Sequence, residues 1–190
     1  MTGVAKFAVF ASGSGTNFQA IYDAVQEGNL VGEAVLVVSD KPGAFVVERA
    51  EKEGIETLAI KPADFPSKAA YEQAILEKLN ELEVEWIVLA GYMRLIGDVL
   101  LEAFPNRIIN IHPSLLPSFP GKDAIGQAMN HGVKITGVTV HFVDEGMDTG
   151  PILAQAAVDV VEGNRSATEE RIHALEHQIY TSTLRQLFLK

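Results

Sequence analysis

Short apolar runs rich in β-branched residues alternate with longer segments of helical periodicity along most of this chain. The runs predict five strands, over residues 4–10, 34–38, 57–60, 86–90 and 107–111. The segments between them predict helices over residues 17–27, 44–53, 67–82 and 98–103, the third capped by Ser67. Regular alternation of strand and helix is typical of an α/β fold with a mostly parallel sheet and helices on both faces.

The pattern changes after residue 130. Residues 135–143 and 152–160 are both strand-like, and the eight residues between them are too few for a crossover helix. We therefore expect an antiparallel pair that closes one edge of the sheet near the C-terminal end. A last helix is predicted over residues 167–188, with Ser166 or Thr168 as its cap. A length of 190 residues without an internal repeat or linker indicates one domain over residues 1–190.

Composition narrows the classes of function. The chain has no cysteine, which excludes disulfides and thiolate chemistry and favours a cytoplasmic protein. A net charge of −10 argues against general affinity for nucleic acid or an anionic membrane, because both depend on clustered Lys and Arg. No apolar run approaches the length of a membrane span.

A glycine-rich segment, SGSGTN at residues 12–17, joins the first predicted strand to the first helix. Glycines allow a ligand close to the backbone, and a helix N-terminus offers free N–H groups to an anion, so the segment is a candidate phosphate site. A tight turn is the alternative. A dinucleotide fingerprint would need a small residue where the chain has Phe18; Asp40 could meet a ribose hydroxyl, but Lys41 and Pro42 suit a turn equally well.

Asn110 and His112 lie at the end of the fifth predicted strand, which Pro113 stops. Alternate residues of a strand share a face, so the amide and the imidazole should enter one pocket at the rim of the sheet. Asp148 follows in a glycine-punctuated loop. Acyl transfer to an amine needs an oxyanion donor, a proton-moving group and a carboxylate that favours the charged form of that group. The three residues supply one of each; the alternative is a structural histidine beside a turn aspartate.

The proline-rich loop at residues 113–121 favours the functional interpretation, because rigid loops beside strand ends often carry function. Ser114 has no nucleophile elbow around it, so we do not expect a serine hydrolase. The other histidines, at positions 131, 141, 173 and 177, form no zinc spacing with His112, and we expect no metal. His141 is predicted to support the site or to pack in the core.

Four motifs carry a resemblance to a known family: ASGSGTN at residues 11–17, LAGYMRL at 89–95, NIHPSLLP at 110–117 and TVHFVDEGMDTGP at 139–151. Together they resemble the phosphoribosylglycinamide formyltransferases, folate-dependent enzymes of purine synthesis, over nearly the whole chain. The resemblance implies a Rossmann-like formyltransferase fold. It also implies transfer of a formyl group from the co-substrate 10-formyltetrahydrofolate to the amine of glycinamide ribonucleotide.

The same resemblance implies roles for individual positions. The matching motifs make Asn110, His112 and Asp148 the catalytic set. Other matches assign Gly15, Thr16 and Asn17 to the phosphate of the ribonucleotide and Glu176 to its glycinamide end. The folate is matched by six residues: Lys68, Met93, Arg94, Leu95, Ile96 and Asn110. The loop at residues 144–150 would form the other wall of the folate pocket. Lys68 stands where relatives carry arginine, whose bidentate fork a lysine cannot reproduce.

The catalytic triplet alone does not name the acceptor, because similar motifs occur in formyltetrahydrofolate hydrolase and methionyl-tRNA formyltransferase. The first would add an N-terminal regulatory domain and the second a basic C-terminal domain, and we expect neither. A nucleotide-binding oxidoreductase domain, which Phe18 disfavours, and a folate carrier without turnover are rivals of other classes. The expected partners are the two small molecules, without nucleic acid or membrane; a homodimer is compatible with the sequence.

Overall fold

A computed structural model describes residues 3–189. Its strands are β1 (Lys6–Phe10), β2 (Glu33–Ser39), β3 (Glu56–Ala59), β4 (Trp86–Leu89), β5 (Ile108–His112), β6 (Ile135–Phe142) and β7 (Ile152–Asp159). Its helices are α1 (Thr16–Gln26), α2 (Phe45–Lys52), α3 (Lys68–Glu81), α4 (Asp98–Ala103), α5 (Ala124–His131) and α6 (Arg165–Phe188), with a 3-10 turn over Pro62–Asp64.

The seven strands form one sheet in the order β3-β2-β1-β4-β5-β6-β7. The first five strands are parallel, β6 is antiparallel to β5, and β7 is antiparallel to β6. The prediction of a mostly parallel sheet with an antiparallel pair at one edge is therefore confirmed. Chain order reverses between β1 and β4, and in open α/β sheets ligands bind beyond the carboxyl ends of the strands at such a point.

Each face of the sheet has its own apolar core. Alternate residues of β1 divide between them: Phe7 and Val9 belong to one cluster, Ala8 and Phe10 to the other. The first cluster contains side chains of α1, α2 and α6, and the second contains side chains of α3 and α4. Burial of one large apolar side chain is worth about 1.5–3 kcal/mol, so the two clusters explain why both faces are covered by helices.

The start of α6 differs from the sequence prediction. Neither Ser166 nor Thr168 caps this helix: Asn164 does, and its side chain accepts a hydrogen bond from the Ala167 N–H at 3.0 Å. Asn164 has the extended backbone of an N-cap, whereas Thr168 lies a turn inside the helix with its hydroxyl donating to backbone carbonyls.

Helix α5 was not predicted, because the proline-rich segment before it obscures its start. Its boundary signals are nevertheless present in the sequence. The side chain of Asp123 accepts a hydrogen bond from the Gly126 N–H, and Gly132 ends the helix with a φ of 82°.

The predicted domain includes Met1, Thr2 and Lys190, which lie outside the described residues. Within residues 3–189 all strands belong to the single sheet. None of the helices described there combines the length and the apolar character needed to cross a bilayer.

Candidate active site

A cleft of about 710 Å³ opens at the carboxyl ends of β1, β4 and β5. This volume lies in the usual range for small-molecule sites. Its walls come from the glycine loop, from the segment after β4, from the end of β5 and from the β6–β7 loop, and α6 adds His173 and Glu176. The cleft therefore lies at the rim where the sequence placed the candidate site.

The structure brings Asn110, His112 and Asp148 together. All three line the cleft, and His112 Nδ1 is 3.5 Å from Asp148 Oδ2. Asp148 has a left-handed backbone with a φ of 55°, and its Oδ2 also accepts a hydrogen bond from the Gly121 N–H at 2.8 Å. The carboxylate therefore links the β6–β7 loop to both the histidine and the proline-rich loop.

Both ring nitrogens of His112 face oxygen atoms. On the side opposite Asp148, Nε2 donates to the Phe119 carbonyl at 2.9 Å. A carbonyl can only accept, so Nε2 must carry a proton. The Asp148 carboxylate beside Nδ1 would stabilise the positive charge of the ring whenever both nitrogens are protonated.

His141 supports Asn110 from the neighbouring strand. It is the direct cross-strand partner of Asn110, and its Nδ1 donates to the Phe142 carbonyl at 2.7 Å. Its Nε2 is then free to accept from Asn110 Nδ2, 3.4 Å away. This contact uses one of the two amide hydrogens and leaves the other for a ligand. The prediction that His141 supports the site agrees with this geometry.

The predicted phosphate residues surround the N-terminus of α1. Gly15 precedes the helix with a φ of 76°, and a Cβ at this position would lie 2.7 Å from Val46 Cβ. Thr16 and Asn17 begin the helix, and all three residues line the cleft. The N-terminus of α1, whose first N–H groups have no partner within the helix, therefore lies on the wall of the cleft.

Glu176 is buried beside this helix end. Its Oε2 accepts a hydrogen bond from Asn17 Nδ2 at 3.4 Å. Burial raises the pKa of Glu176 to about 7, and the Asn17 hydrogen bond opposes that shift. One turn along α6, the buried Tyr180 hydroxyl contacts the carbonyls of Leu89 and Ile109 at 2.7 and 3.1 Å. Tyr180 thus fixes α6 over the ends of β4 and β5 and holds Glu176 at the cleft.

Most of the predicted folate residues lie together on one wall. Met93, Arg94, Leu95 and Ile96 all line the cleft. Met93 and Leu95 are 65% and 53% exposed, and Met147 on the β6–β7 loop is 52% exposed. Large apolar side chains that remain exposed in a concave site indicate an apolar ligand surface.

Lys68 lies apart from this wall. It lines a neighbouring groove of about 820 Å³, together with Lys41, Lys61 and Arg94. Arg94 lines both spaces, so the groove adjoins the cleft at this residue. Lys68 Nζ is 3.9 Å from Glu72 Oε1. Contact between Lys68 and the folate therefore stays a prediction.

Asp40 does not line the cleft, and it is buried. Its Oδ1 accepts a hydrogen bond from the Ser12 hydroxyl at 2.6 Å, and a turn over residues 41–44 follows it. Of the two interpretations of the Asp40 segment, the turn is the one that the structure shows. The contact with Ser12 had no signal in the sequence.

His173 is a further cleft residue that the sequence did not single out for the site. It precedes Glu176 by three positions on one helix face, a spacing that could have linked the two. Between residues 3 and 189, no three His, Asp or Glu side chains are grouped closely enough to hold a metal ion.

Comparison with known proteins decides the family. The formyl transferase family model matches residues 5–184. A phosphoribosylglycinamide formyltransferase of Bacillus subtilis (strain 168) is 58% identical over 183 residues, which are 96% of this chain and 94% of that protein. This chain belongs to the phosphoribosylglycinamide formyltransferase family.

Other phosphoribosylglycinamide formyltransferases support this assignment. The crystal structure of glycinamide ribonucleotide transformylase 1 from Geobacillus kaustophilus has a TM-score of 0.95 and 57% identity, and the match covers 98% of this chain and all 100% of that one. The trifunctional purine biosynthetic protein adenosine-3 of Homo sapiens is 39% identical over 95% of this chain, which spans 18% of that protein. The resemblance seen in the four motifs is confirmed, whereas the roles of single residues stay predictions.

Proposed function

We propose that this chain transfers the formyl group of 10-formyltetrahydrofolate to the amine of glycinamide ribonucleotide, a step of purine synthesis. The observation that carries the proposal is the convergence of Asn110, His112 and Asp148 in one cleft of a chain that belongs to this family. A cytoplasmic location follows from the purine pathway that supplies the ribonucleotide. A homodimer stays a prediction.

The two ends of the cleft suit the two substrates. Residues 15–17 at the N-terminus of α1 would hold the phosphate of the ribonucleotide, and Glu176, which accepts from Asn17, would lie near its glycinamide end. Segment 93–96 and the β6–β7 loop would hold the folate between their exposed apolar side chains. The acceptor amine and the formyl carbon would then meet beside Asn110 and His112.

The chemistry assigned to the chain is stabilisation of charge and movement of protons. As the neutral amine attacks the formyl carbon, the carbonyl oxygen becomes an oxyanion. The free amide hydrogen of Asn110 and a ring N–H of His112 would donate to this oxyanion. Asp148 would stabilise the protonated His112 and relay the proton of the amine through water to the donor nitrogen of the folate. The bond between this nitrogen and the formyl carbon then breaks, the carbonyl re-forms, and tetrahydrofolate leaves.

The geometry adds one condition to this mechanism. Nε2 of His112 donates to the Phe119 carbonyl. Donation to the oxyanion from Nε2 therefore requires the ring to exchange Phe119 for the substrate oxygen, while Nδ1 stays on Asp148. Catalytic hydrogen bonds commonly form only in the substrate complex.

An acceptor series tests the proposal. The purified chain is given 10-formyltetrahydrofolate with glycinamide ribonucleotide, its dephosphorylated riboside, free glycinamide or no acceptor, and formylated products are quantified. We expect efficient product formation with the ribonucleotide and a large loss of kcat/KM for the riboside, because the phosphate contacts are missing. Equal efficiency with riboside and ribonucleotide would contradict the phosphate assignment at residues 15–17.

A His112→Ala variant tests the catalytic assignment. One preorganised oxyanion donor is worth about 3 kcal/mol, so its loss should lower kcat by about a hundredfold or more. Near-normal turnover by a folded His112→Ala protein would exclude His112 as the hydrogen-bond donor to the oxyanion.

A further inference from the structure

Two buried carboxylates outside the cleft, Asp40 and Glu72, hold the two ends of segment 93–97. We infer that they are positioning residues that set the affinity for the formyl donor. The inference rests on the proposed function, in which segment 93–96 faces the folate. Neither carboxylate lines the cleft; Asp40 lines the neighbouring groove, which adjoins the cleft at Arg94, and is only 8% exposed there.

The first end of the segment is held through a serine. The Met93 N–H donates to Ser12 Oγ at 2.9 Å, and the Ser12 hydroxyl donates to Asp40 Oδ1 at 2.6 Å. A hydroxyl has one hydrogen, so the carboxylate directs that hydrogen away from Met93 and presents an oxygen lone pair to its N–H. Ser12 and Asp40 are 5% and 8% exposed, so water competes little for these bonds.

The second end is held directly. The Gly97 N–H donates to Glu72 Oε1 at 2.7 Å, and Glu72 is only 3% exposed. A Cβ at Gly97 would lie 2.8 Å from the same oxygen, so the carboxylate fills the space that a side chain would need. Lys68 Nζ lies 3.9 Å from Oε1 and pairs with this carboxylate.

Segment 91–97 contains no helix or strand, so its shape depends on such contacts. Met93 and Leu95 are largely exposed in the cleft and do not anchor it, whereas Ile96 is buried in the second apolar cluster and adds an apolar contact to the two hydrogen bonds. Carboxylates that accept a backbone N–H form stronger bonds than neutral acceptors. Fixing both ends prepares the wall before the donor arrives and reduces the ordering needed on binding.

The test compares Asp40→Ala and Glu72→Ala with the wild type. We expect each to raise the KM for 10-formyltetrahydrofolate about tenfold, with little change in kcat or in the KM for the ribonucleotide. Glu72→Ala removes the acceptor of the Gly97 N–H, and Asp40→Ala removes the group that orients the Ser12 hydroxyl, the acceptor of the Met93 N–H. Asp40→Asn and Glu72→Gln keep an oxygen acceptor and should restore most of the donor affinity. Glu56→Ala, which removes an exposed carboxylate paired with Lys78, is the matched control and should behave like the wild type.

A merely structural role gives a different pattern. In that case the variants would lose stability and both KM values would rise together, or folded variants would keep the wild-type KM for the donor; either result overturns the inference. Hydrogen exchange adds a second readout: Asp40→Ala should accelerate exchange of the Met93 amide and Glu72→Ala that of the Gly97 amide. If Asp40→Ala does not fold, Ser12→Ala takes its place, because it removes the acceptor of the Met93 N–H, and Asp40→Asn is its conservative control. If Glu72→Ala does not fold, Glu72→Asp takes its place, because the shorter side chain withdraws the acceptor from the Gly97 N–H.

Binding of tetrahydrofolate, measured by calorimetry, separates this inference from the proposed function. A wild type that binds tetrahydrofolate but forms no formylated ribonucleotide would refute the proposed function alone. Weaker tetrahydrofolate binding by both alanine variants would still support the role of the carboxylates. Unchanged binding in both folded variants would refute it, whatever the turnover.

Discussion

Replacement of Asp148 by asparagine removes a charge from the site and little else. Asparagine tolerates the left-handed backbone found at this position, where φ is 55°, and its side-chain oxygen can still accept from the Gly121 N–H. Alanine would remove the loop contact as well. The variant therefore isolates the electrostatic support of His112 from the positioning of the β6–β7 loop.

The magnitude follows from the separation of the two groups. At an effective dielectric constant of about 20, unit charges 3.5 Å apart attract by about 5 kcal/mol. The Asp148 side chain is 12% exposed, and the Gly121 N–H already shares its charge, so we expect a smaller net effect. A loss of about 3–4 kcal/mol corresponds to about 10²- to 10³-fold in kcat.

The assay is the initial rate of formylated ribonucleotide formation with both substrates saturating. Asp148→Asn should lower kcat by the stated factor with both KM values near wild type, because the loss of the protonated His112 is felt mainly when the oxyanion develops in the transition state. Glu145→Gln removes an exposed charge from the same loop at a position that does not line the cleft, and it should keep the wild-type rate. A folded Asp148→Asn protein with more than about a tenth of the wild-type kcat would refute the reasoning, since that is a barrier change below about 1.4 kcal/mol.

Three further predictions concern stability and substrate affinity. Burial raises the pKa of Glu176 from 4.5 to about 7. Between these pH values the carboxyl is protonated in the folded state and ionised in the unfolded state, so the free energy of unfolding falls as pH rises through this window. Glu176→Gln should therefore be more stable than wild type above pH 7, by at most about 3 kcal/mol, and should lose this advantage below pH 4.5, as measured by urea unfolding; a pH-independent difference would contradict the buried-acid explanation. Asn164→Ala should lose about 1 kcal/mol by removing the cap of α6, whereas Ser166→Ala should be nearly neutral, and equal losses in thermal unfolding would contradict the capping assignment. Gly15→Ala places a Cβ 2.7 Å from Val46 Cβ on a backbone with φ of 76°. It should therefore raise the KM for the ribonucleotide and cost about 1–3 kcal/mol of stability. An unchanged KM would show that this loop does not contact that substrate.

The sheet and the core of the site could be predicted because both follow from local rules. β-Branched runs marked the strands, and strand alternation placed Asn110 and His112 on one face. Pro113 marked the end of β5, and the glycine-punctuated loop drew attention to Asp148. None of these inferences needed the distance between residues remote in the chain.

Other features of the site depend on pairing in three dimensions. The sequence left open whether His141 supports the site or packs in the core, because its contact with Asn110 depends on the register of β6 against β5. Glu72 accepts from a backbone amide, and Asp40 orients a serine that does so; any residue can supply an amide, so no motif marks these contacts. Lys68 lies in the groove beside Glu72, because the direction of a side chain on α3 depends on helix packing, and its role at the folate stays a prediction.

Consumption of 10-formyltetrahydrofolate by the purified protein, with and without glycinamide ribonucleotide, tests most directly whether the Asn110, His112 and Asp148 site performs acyl transfer to an amine. We expect the donor to be lost only when the ribonucleotide is present, with one formylated ribonucleotide formed for each donor consumed. Equal loss without the ribonucleotide would make water the acceptor and the chain a hydrolase, and no loss in either case would contradict a catalytic role for the cleft.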